Sequence, residues 1–161
     1  MLLLKCQLAS DMGCLRTNNE DMILFNGGLY RDERYEQKFE LAPQARFTAF
    51  VADGMGGHQA GDFASNFVVE NLVRFFETPY PERDVHGILK EGIRKVNRDL
   101  YECTSRDPKL NGAGSTLVLA TIKGSVLYVA NIGDSRLYLL REALEQITKD
   151  HSYVEELVAM G

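Results

Sequence analysis

The stretch RFTAFVADGMGG, residues 46–57, constrains the fold of this chain more than any other part of its sequence. Its first seven residues are apolar on both alternating faces, which is typical of a strand buried on both sides at the centre of a sheet. Asp53 follows directly, and a carboxylate there needs a hydrogen-bond partner or a cation, because an unpaired buried charge is very costly. Gly54, Gly56 and Gly57 then leave the backbone bare, so that main-chain atoms can approach a ligand closely.

Strands are also predicted before this stretch, over residues 2–10 and 21–26, on either side of a loop rich in turn-forming residues. Residues 27–45 lie between the second of these strands and the central one. They carry mixed charge without a sustained period, which indicates an exposed loop or irregular hairpin, a solvated insertion of the kind that tolerates charge.

After the glycines the hydrophobic period changes to that of helices. Apolar residues recur at helical spacing from Phe63 to Phe76, up to the break at Pro79, and a second amphipathic helix is predicted roughly from Asp84 to Thr104. Four strands in a meander are then predicted, over residues 115–122, 126–132, 136–141 and 144–148. This order favours one α+β domain over residues 1–161, with antiparallel sheet and helices packed outside it.

Composition excludes several classes of function. The net charge is −5 and the basic residues are scattered, so neither a nucleic-acid footprint nor a membrane-surface patch is predicted. The three cysteines include no CxxC pair, which argues against a disulfide framework and a cysteine metal site. Neither a signal peptide nor a membrane-spanning run is recognisable. We therefore expect a cytoplasmic protein.

Oxygen-bearing residues cluster at predicted strand ends, where they suit a hard cation. Asp53 with the Gly54 carbonyl, together with the neighbouring acids Glu20 and Asp21, would suit Mg²⁺ or Mn²⁺, which take oxygen ligands and retain water. Two acids side by side in a loop are also commonly just solvated. His58 is open between a metal or proton-transfer role and an exposed turn residue.

Three further polar groups have competing interpretations. Arg16 offers a planar fork suited to phosphate, but a salt bridge to Glu20 or Asp21 explains its spacing equally well. The turn residues Asp134 and Ser135 can simply bond the turn backbone. The residues from 152 to 155, SYVE, form a helix capping box.

Four separated motifs occur in a recognisable order, and together they resemble a family. SDMGCLRTNNED, VADGMGGHQAGDFAS, GSTLVLATI with VANIGDSRLYLL, and ITKDHSYVEELVAMG are similar to the motifs of metal-dependent protein serine/threonine phosphatases of type 2C, in their bacterial form. The resemblance covers nearly the whole chain except the 27–45 insertion. It implies an α+β fold, a four-layer α-β-β-α sandwich of two antiparallel sheets flanked by helices.

The resemblance also implies a two-metal centre at one edge of the sandwich. Asp53 would bridge two Mg²⁺ or Mn²⁺ ions, the Gly54 carbonyl would ligate one, and Glu20 and Asp21 would hold metal waters. Arg16 would clamp the substrate phosphate while a polarised water attacks phosphorus. The implied substrates are phosphorylated proteins, and the implied opposing enzyme is a serine/threonine kinase.

Two departures from the family pattern lead to further expectations. Met55 stands where eukaryotic members carry a histidine, so no general acid is placed there. The family pattern continues beyond Gly161 with two more metal aspartates and the last core strands. We therefore expect the C-terminal part to be missing, and the 161-residue chain to be weakly active or inactive and to associate with itself through an incomplete sheet.

Two other functions compete with the phosphatase interpretation. One is a noncatalytic, phosphatase-like regulatory or binding domain completed by a partner chain, which the missing ligands favour. The other is an ATP-binding module of the histidine-kinase type. DGMGG is a poor match to that module's Asp-x-Gly-x-Gly box, because Met55 stands where the first of those glycines belongs.

Overall fold

The computed structural model describes residues 1–77 and 84–151. In chain order the elements are β1 Leu2–Ala9, β2 Asp21–Phe25, β3 Gly28–Tyr30, β4 Arg34–Leu41, β5 Arg46–Met55, α1 His58–Glu77, α2 Val85–Arg106, a 3-10 helix Pro108–Leu110, β6 Gly114–Ser115, β7 Leu117–Lys123, β8 Val126–Ile132, β9 Tyr138–Leu140 and β10 Leu144–Gln146. The predicted break at Pro79, the capping box at 152–155 and the apolar segment that follows it lie outside the described residues.

The main sheet has the order β3-β2-β5-β7-β8, with β6 paired to the end of β5, and all its pairs are antiparallel. The prediction of a central strand is confirmed, because β5 lies between β2 and β7. This strand continues to Met55, so Asp53 lies within its last residues. The register pairs Asp21 of β2 directly with Asp53.

Both helices pack on one face of the main sheet. Helix α1 begins at His58, five residues before the apolar period becomes visible at Phe63, because its first residues are polar or small. Helix α2 is capped by Asp84, whose carboxylate accepts a hydrogen bond from the His86 N–H at 3.3 Å. The core between helices and sheet includes fully buried residues from every layer, among them Ala52, Ala64, Val69, Leu72 and Leu119.

The predicted exposed loop over residues 27–45 is wrong for most of that segment, which forms β3 and β4. Strand β4 pairs with β1 over its whole length, and this second sheet packs on the other face of the main sheet. Charges alternate with core-facing residues along β4, which is the period of two expected of a half-exposed strand, although the polar Gln37 interrupts the apolar set: the charged set is Arg34, Glu36, Lys38 and Glu40, and the other set is Tyr35, Gln37, Phe39 and Leu41.

The predicted meander holds for its two hairpins but not for the pairing between them. Strands β7 and β8 pair across a tight turn in which Gly124 has a φ of +61°, a conformation that favours glycine. Strands β9 and β10 pair with each other as a separate two-stranded sheet, so within residues 1–77 and 84–151 the order does not continue from β8 to β9. The bend at Gly133, with a φ of +88°, separates the two hairpins.

The α+β class is confirmed, with several antiparallel sheets and two helices. The described residues form three layers, which are the helices, the main sheet and the β1–β4 sheet. A helical layer outside the β1–β4 sheet is not among the described residues. Neither described helix combines the length and apolar character needed to cross a bilayer.

Leu72 and Leu15 form a matched pair that tests this core. Leu72 is fully buried between the helices and the sheet, whereas Leu15 is 99% exposed. Leu72→Ala leaves a cavity, so we expect the free energy of unfolding to fall by about 2 to 5 kcal/mol. Leu15→Ala should change it by less than about 0.5 kcal/mol. Urea denaturation of both variants measures this difference, and equal losses would contradict the described packing.

Candidate metal centre

The main chain of Asp53 is held by hydrogen bonds to Ser115 and Thr116. Its N–H donates to the Thr116 hydroxyl at 3.0 Å, and its carbonyl accepts from the Thr116 N–H at 2.8 Å and from the Ser115 hydroxyl at 3.2 Å. The Thr116 hydroxyl is in turn 2.7 Å from the Ser135 hydroxyl. These contacts fix the backbone of Asp53, so its carboxylate projects from a rigid strand.

The carboxylates of Asp53 and Asp21 are neighbours at this edge of the sheet. Burial raises the pKa of Asp53, and the charge of Asp21, a hydrogen bond to Asp21 and the charge of Asp134 raise it further, while Arg16 opposes them. A neighbouring negative charge disfavours ionisation, so a raised pKa is expected where two carboxyl groups lie side by side. Either a shared proton or a bound cation relieves that repulsion.

Glu20 and Gly54 bring two more oxygens close to one point. A Cβ atom on Gly61 would lie 2.8 Å from a Glu20 carboxylate oxygen and 3.0 Å from the Gly54 carbonyl oxygen. The Gly54 N–H donates to the Glu20 carbonyl at 3.2 Å, and a Cβ on Gly54 would lie 2.0 Å from the Gly61 carbonyl. These glycines therefore allow the start of α1 to pack directly on the acidic edge, which is the end of the main sheet at Glu20, Asp21 and Asp53.

Arg16 forms the salt bridge that its spacing allowed. Its Nη1 lies 3.4 Å from Glu20 Oε2, and its side chain remains 66% exposed. The Glu20 side chain is only 9% exposed, so the pair is open to solvent on the arginine side alone. Arg16 is also close enough to Asp53 to oppose the rise in the pKa of that carboxyl. The guanidinium therefore borders the acidic site and faces solvent.

The other polar motifs have separate roles. Arg136 and Asp150 form a bidentate ion pair with distances of 2.7 to 3.0 Å, and the Arg136 guanidinium lowers the pKa of Asp150. Asp134 contributes charge near Asp53, and Ser135 supports Thr116. His58 begins α1, and its side chain lies outside what the structure describes.

Two supporting residues were missed by the sequence analysis. The buried Asn19 accepts a hydrogen bond from the Asp21 N–H at 3.0 Å, an arrangement that an Asn two residues before a strand residue can signal. Arg31 donates from Nε to the Asp21 carbonyl at 2.7 Å. The position of Arg31 within the charged segment 27–45 did not indicate its contact with the Asp21 carbonyl.

The donor set suits a hard, partly hydrated cation. The carboxylates of Asp21 and Asp53 form one pair of donors, and Glu20 and the Gly54 carbonyl bring two further oxygens close to Gly61. Across residues 1–77 and 84–151, no group of three or more His, Cys, Asp or Glu side chains is placed so that it could hold a metal ion. Mg²⁺-type ions are commonly bound by one or two carboxylates and keep several waters. The residues present therefore fit such an ion.

Comparison with known proteins points in the same direction. Residues 17–157 match the family model described as protein phosphatase 2C. The chain is 36% identical to the serine/threonine phosphatase stp of Listeria monocytogenes over 163 residues, covering 96% of this chain and 58% of that protein. The chain thus spans less than two-thirds of this relative.

Two solved structures are similar in fold as well as in sequence. Serine/threonine phosphatase Stp1 from Staphylococcus aureus gives a TM-score of 0.80 at 30% identity, covering 99% of this chain and 58% of the other. The catalytic domain of serine/threonine protein phosphatase PstP, in complex with two manganese ions, gives a TM-score of 0.74 at 34% identity, covering 98% of this chain and 60% of the other.

The pKa of Asp53 predicts how stability depends on pH in the metal-free protein. Because the folded pKa is raised above the unfolded value, the unfolded chain binds fewer protons between the two values, and stability falls as pH rises through that window. Asp53→Asn should therefore stabilise the metal-free protein at about pH 7 and leave stability nearly unchanged at about pH 3. Chemical denaturation in the presence of a chelator tests this, and a destabilised variant at the higher pH would contradict it.

Proposed function

Since this chain belongs to the protein phosphatase 2C family, we propose that it forms the metal-binding part of a phosphatase that hydrolyses phosphoserine and phosphothreonine in proteins with Mg²⁺ or Mn²⁺. The observation that carries the proposal is the register of β2 and β5, which places the carboxylates of Asp21 and Asp53 together. Phosphorylated proteins would be the substrates, and a serine/threonine kinase would supply them.

The residues at the acidic edge have distinct roles in this proposal. Asp53 would contact both ions, the Gly54 carbonyl would contact one, and Glu20 and Asp21 would accept hydrogen bonds from the surrounding waters. When bound, such ions polarise the phosphate and lower the pKa of a coordinated water, which makes it a nucleophile near neutral pH. The matched PstP structure contains manganese, and the donor set here suits either ion.

The fixed backbone of Asp53 favours this chemistry. Hydrogen bonds from Thr116 and Ser115 hold the Asp53 main chain, so the carboxylate needs little rearrangement to meet a cation. Repulsion between Asp21 and Asp53 disfavours the fully ionised pair without a cation. A divalent cation offsets the repulsion between the two ionised carboxylates. Metal binding is therefore favoured when both are ionised.

Arg16 would bind the phosphate of the substrate. Its guanidinium is exposed, borders the acidic edge and is paired with Glu20 at 3.4 Å. An arginine fork makes short, bidentate hydrogen bonds to phosphate oxygens, which are stronger than a long exposed ion pair. The phosphate would therefore replace Glu20 as the partner of Arg16.

A noncatalytic, phosphatase-like regulatory domain is the second candidate. The incomplete protein cage among the described residues favours it, because a cation held by few protein carboxylates binds weakly. This candidate predicts metal binding without turnover, and self-association through exposed sheet edges stays a prediction that light scattering can test. Hydrolysis of a phosphopeptide in excess Mn²⁺ by a full-length form separates the two functions, since only the first predicts that such a form releases phosphate.

Asp53→Asn should remove most Mn²⁺ binding. The substitution keeps the shape of the side chain but removes the charge that the ion needs, so we expect the affinity to fall at least about tenfold. Asp84→Asn is the matched control, because it lies at the start of α2 and asparagine is also a good helix cap. Calorimetric titration compares the three proteins, and equal affinity for Asp53→Asn would remove Asp53 from the metal site.

Arg16→Ala should act on the substrate rather than on the metal. In a full-length form, loss of the phosphate contact is expected to raise KM for a phosphopeptide, while Mn²⁺ affinity stays nearly constant because the carboxylates are untouched. Arg94→Ala, which removes an exposed arginine from α2, is the control. Steady-state kinetics and metal titration are measured together. A parallel loss of metal affinity would instead make the Arg16–Glu20 ion pair structural.

A further inference from the structure

We propose that Arg31 is a positioning residue that holds Asp21 at the metal centre by clamping β2 to the start of α1. The inference rests on the proposed function, because it concerns how the same acidic edge is made ready for its cation. Arg31 lies directly after β3, within residues 27–45, for which the sequence predicted a solvated insertion.

The Arg31 guanidinium contacts both elements that meet at the site. Its Nε donates to the Asp21 carbonyl of β2 at 2.7 Å, and its Nη2 donates to the Ser65 hydroxyl of α1 at 3.1 Å. Its Nη1 forms an ion pair with the Asp62 carboxylate, also in α1. The Arg31 side chain is only 18% exposed, so its orientation is restricted by its surroundings. One planar group thus links the strand to the helix.

The neighbouring residue holds Asp21 from its other side. Asp32 accepts a hydrogen bond from the Asn19 side-chain amide at 2.7 Å, and the same Asn19 accepts from the Asp21 N–H at 3.0 Å. Asn19 also donates to the Ser10 hydroxyl at 2.8 Å. The turn at Arg31 and Asp32 therefore controls both main-chain groups of Asp21, its carbonyl directly and its N–H through Asn19.

The contacts to the N–H and the carbonyl of Asp21 do more than stabilise the fold. Asp21 lies beside Asp53, and repulsion between the ionised carboxylates tends to separate them. The helix end of the clamp, Asp62, follows Gly61, whose missing side chain leaves room for Glu20 and the Gly54 carbonyl. Arg31 therefore fixes the spacing between the carboxylate pair and the second group of oxygens. Supporting residues of this kind set the geometry in which ligands meet a metal.

Arg31→Met tests the clamp, because methionine keeps apolar bulk and removes every donor. We expect Mn²⁺ affinity, measured by calorimetry on the folded full chain, to fall about tenfold. Arg31→Lys keeps the charge but not the fork, so its affinity should be intermediate. Arg34→Met, at an exposed arginine of β4, should leave affinity unchanged. If Arg31→Met fails to fold, a Lys variant with the affinity of the unmodified chain overturns the proposal.

A metal-free measurement separates this inference from the proposed function. The amide of Asp21 bonds to Asn19, and the amide of Gly54 bonds to the Glu20 carbonyl, so hydrogen exchange at these amides reports how firmly the edge is held. Exchange at both should be faster in Arg31→Met or Arg31→Lys than in Arg34→Met, relative to amides in the core of β5.

The two measurements give outcomes that do not overlap. Unchanged exchange at both amides, or lower stability with unaltered Mn²⁺ affinity in the folded variant, would overturn the clamp. If the unmodified chain binds no Mn²⁺, the proposed function fails, and the exchange rates alone then decide whether Arg31 positions Asp21.

Discussion

The structure depends on one antiparallel register, the pairing of Asp21 with Asp53 across β2 and β5. Two carboxylates side by side at a sheet edge repel each other, and burial adds to the cost of ionising them. A shift of one residue would turn the side chains of β2 to the opposite face of the sheet. The apolar residues that fix the register, such as Leu24 and Phe50, therefore also fix the site.

Much of this arrangement was predictable from local chemistry. The run from Arg46 to Ala52 predicts a central strand because both of its faces are apolar. The glycines that follow indicate that two backbone segments approach each other closely. Strand β4 does alternate with a period of two, but its four charges and the polar Gln37 leave few apolar residues, and such a composition also suits an exposed loop. The role of Arg31 was not predictable, because one of its partners lies 34 positions away and only the fold brings them together.

The described contacts connect three segments that are far apart in sequence. Thr116, itself contacted by Ser135, holds the Asp53 backbone from the β7 side, and Asn19 and Arg31 hold the Asp21 backbone from the other. The main chain that carries both carboxylates is thus held from both sides before any ligand arrives, which reduces the rearrangement that metal binding requires. Under the proposed function, this preparation would serve the binding of a divalent ion, in keeping with membership of the protein phosphatase 2C family.

The central claim is that a divalent ion binds in contact with Asp53. Crystals of the chain grown with Mn²⁺ test it most directly, because anomalous scattering locates manganese without assumptions about activity. The account predicts an anomalous peak at roughly 2 Å from an Asp53 carboxylate oxygen, the distance of direct coordination. Two results from saturated crystals would contradict this claim. One is manganese bound only elsewhere, and the other is Asp53 still facing Asp21 with no anomalous peak between β2 and the start of α1.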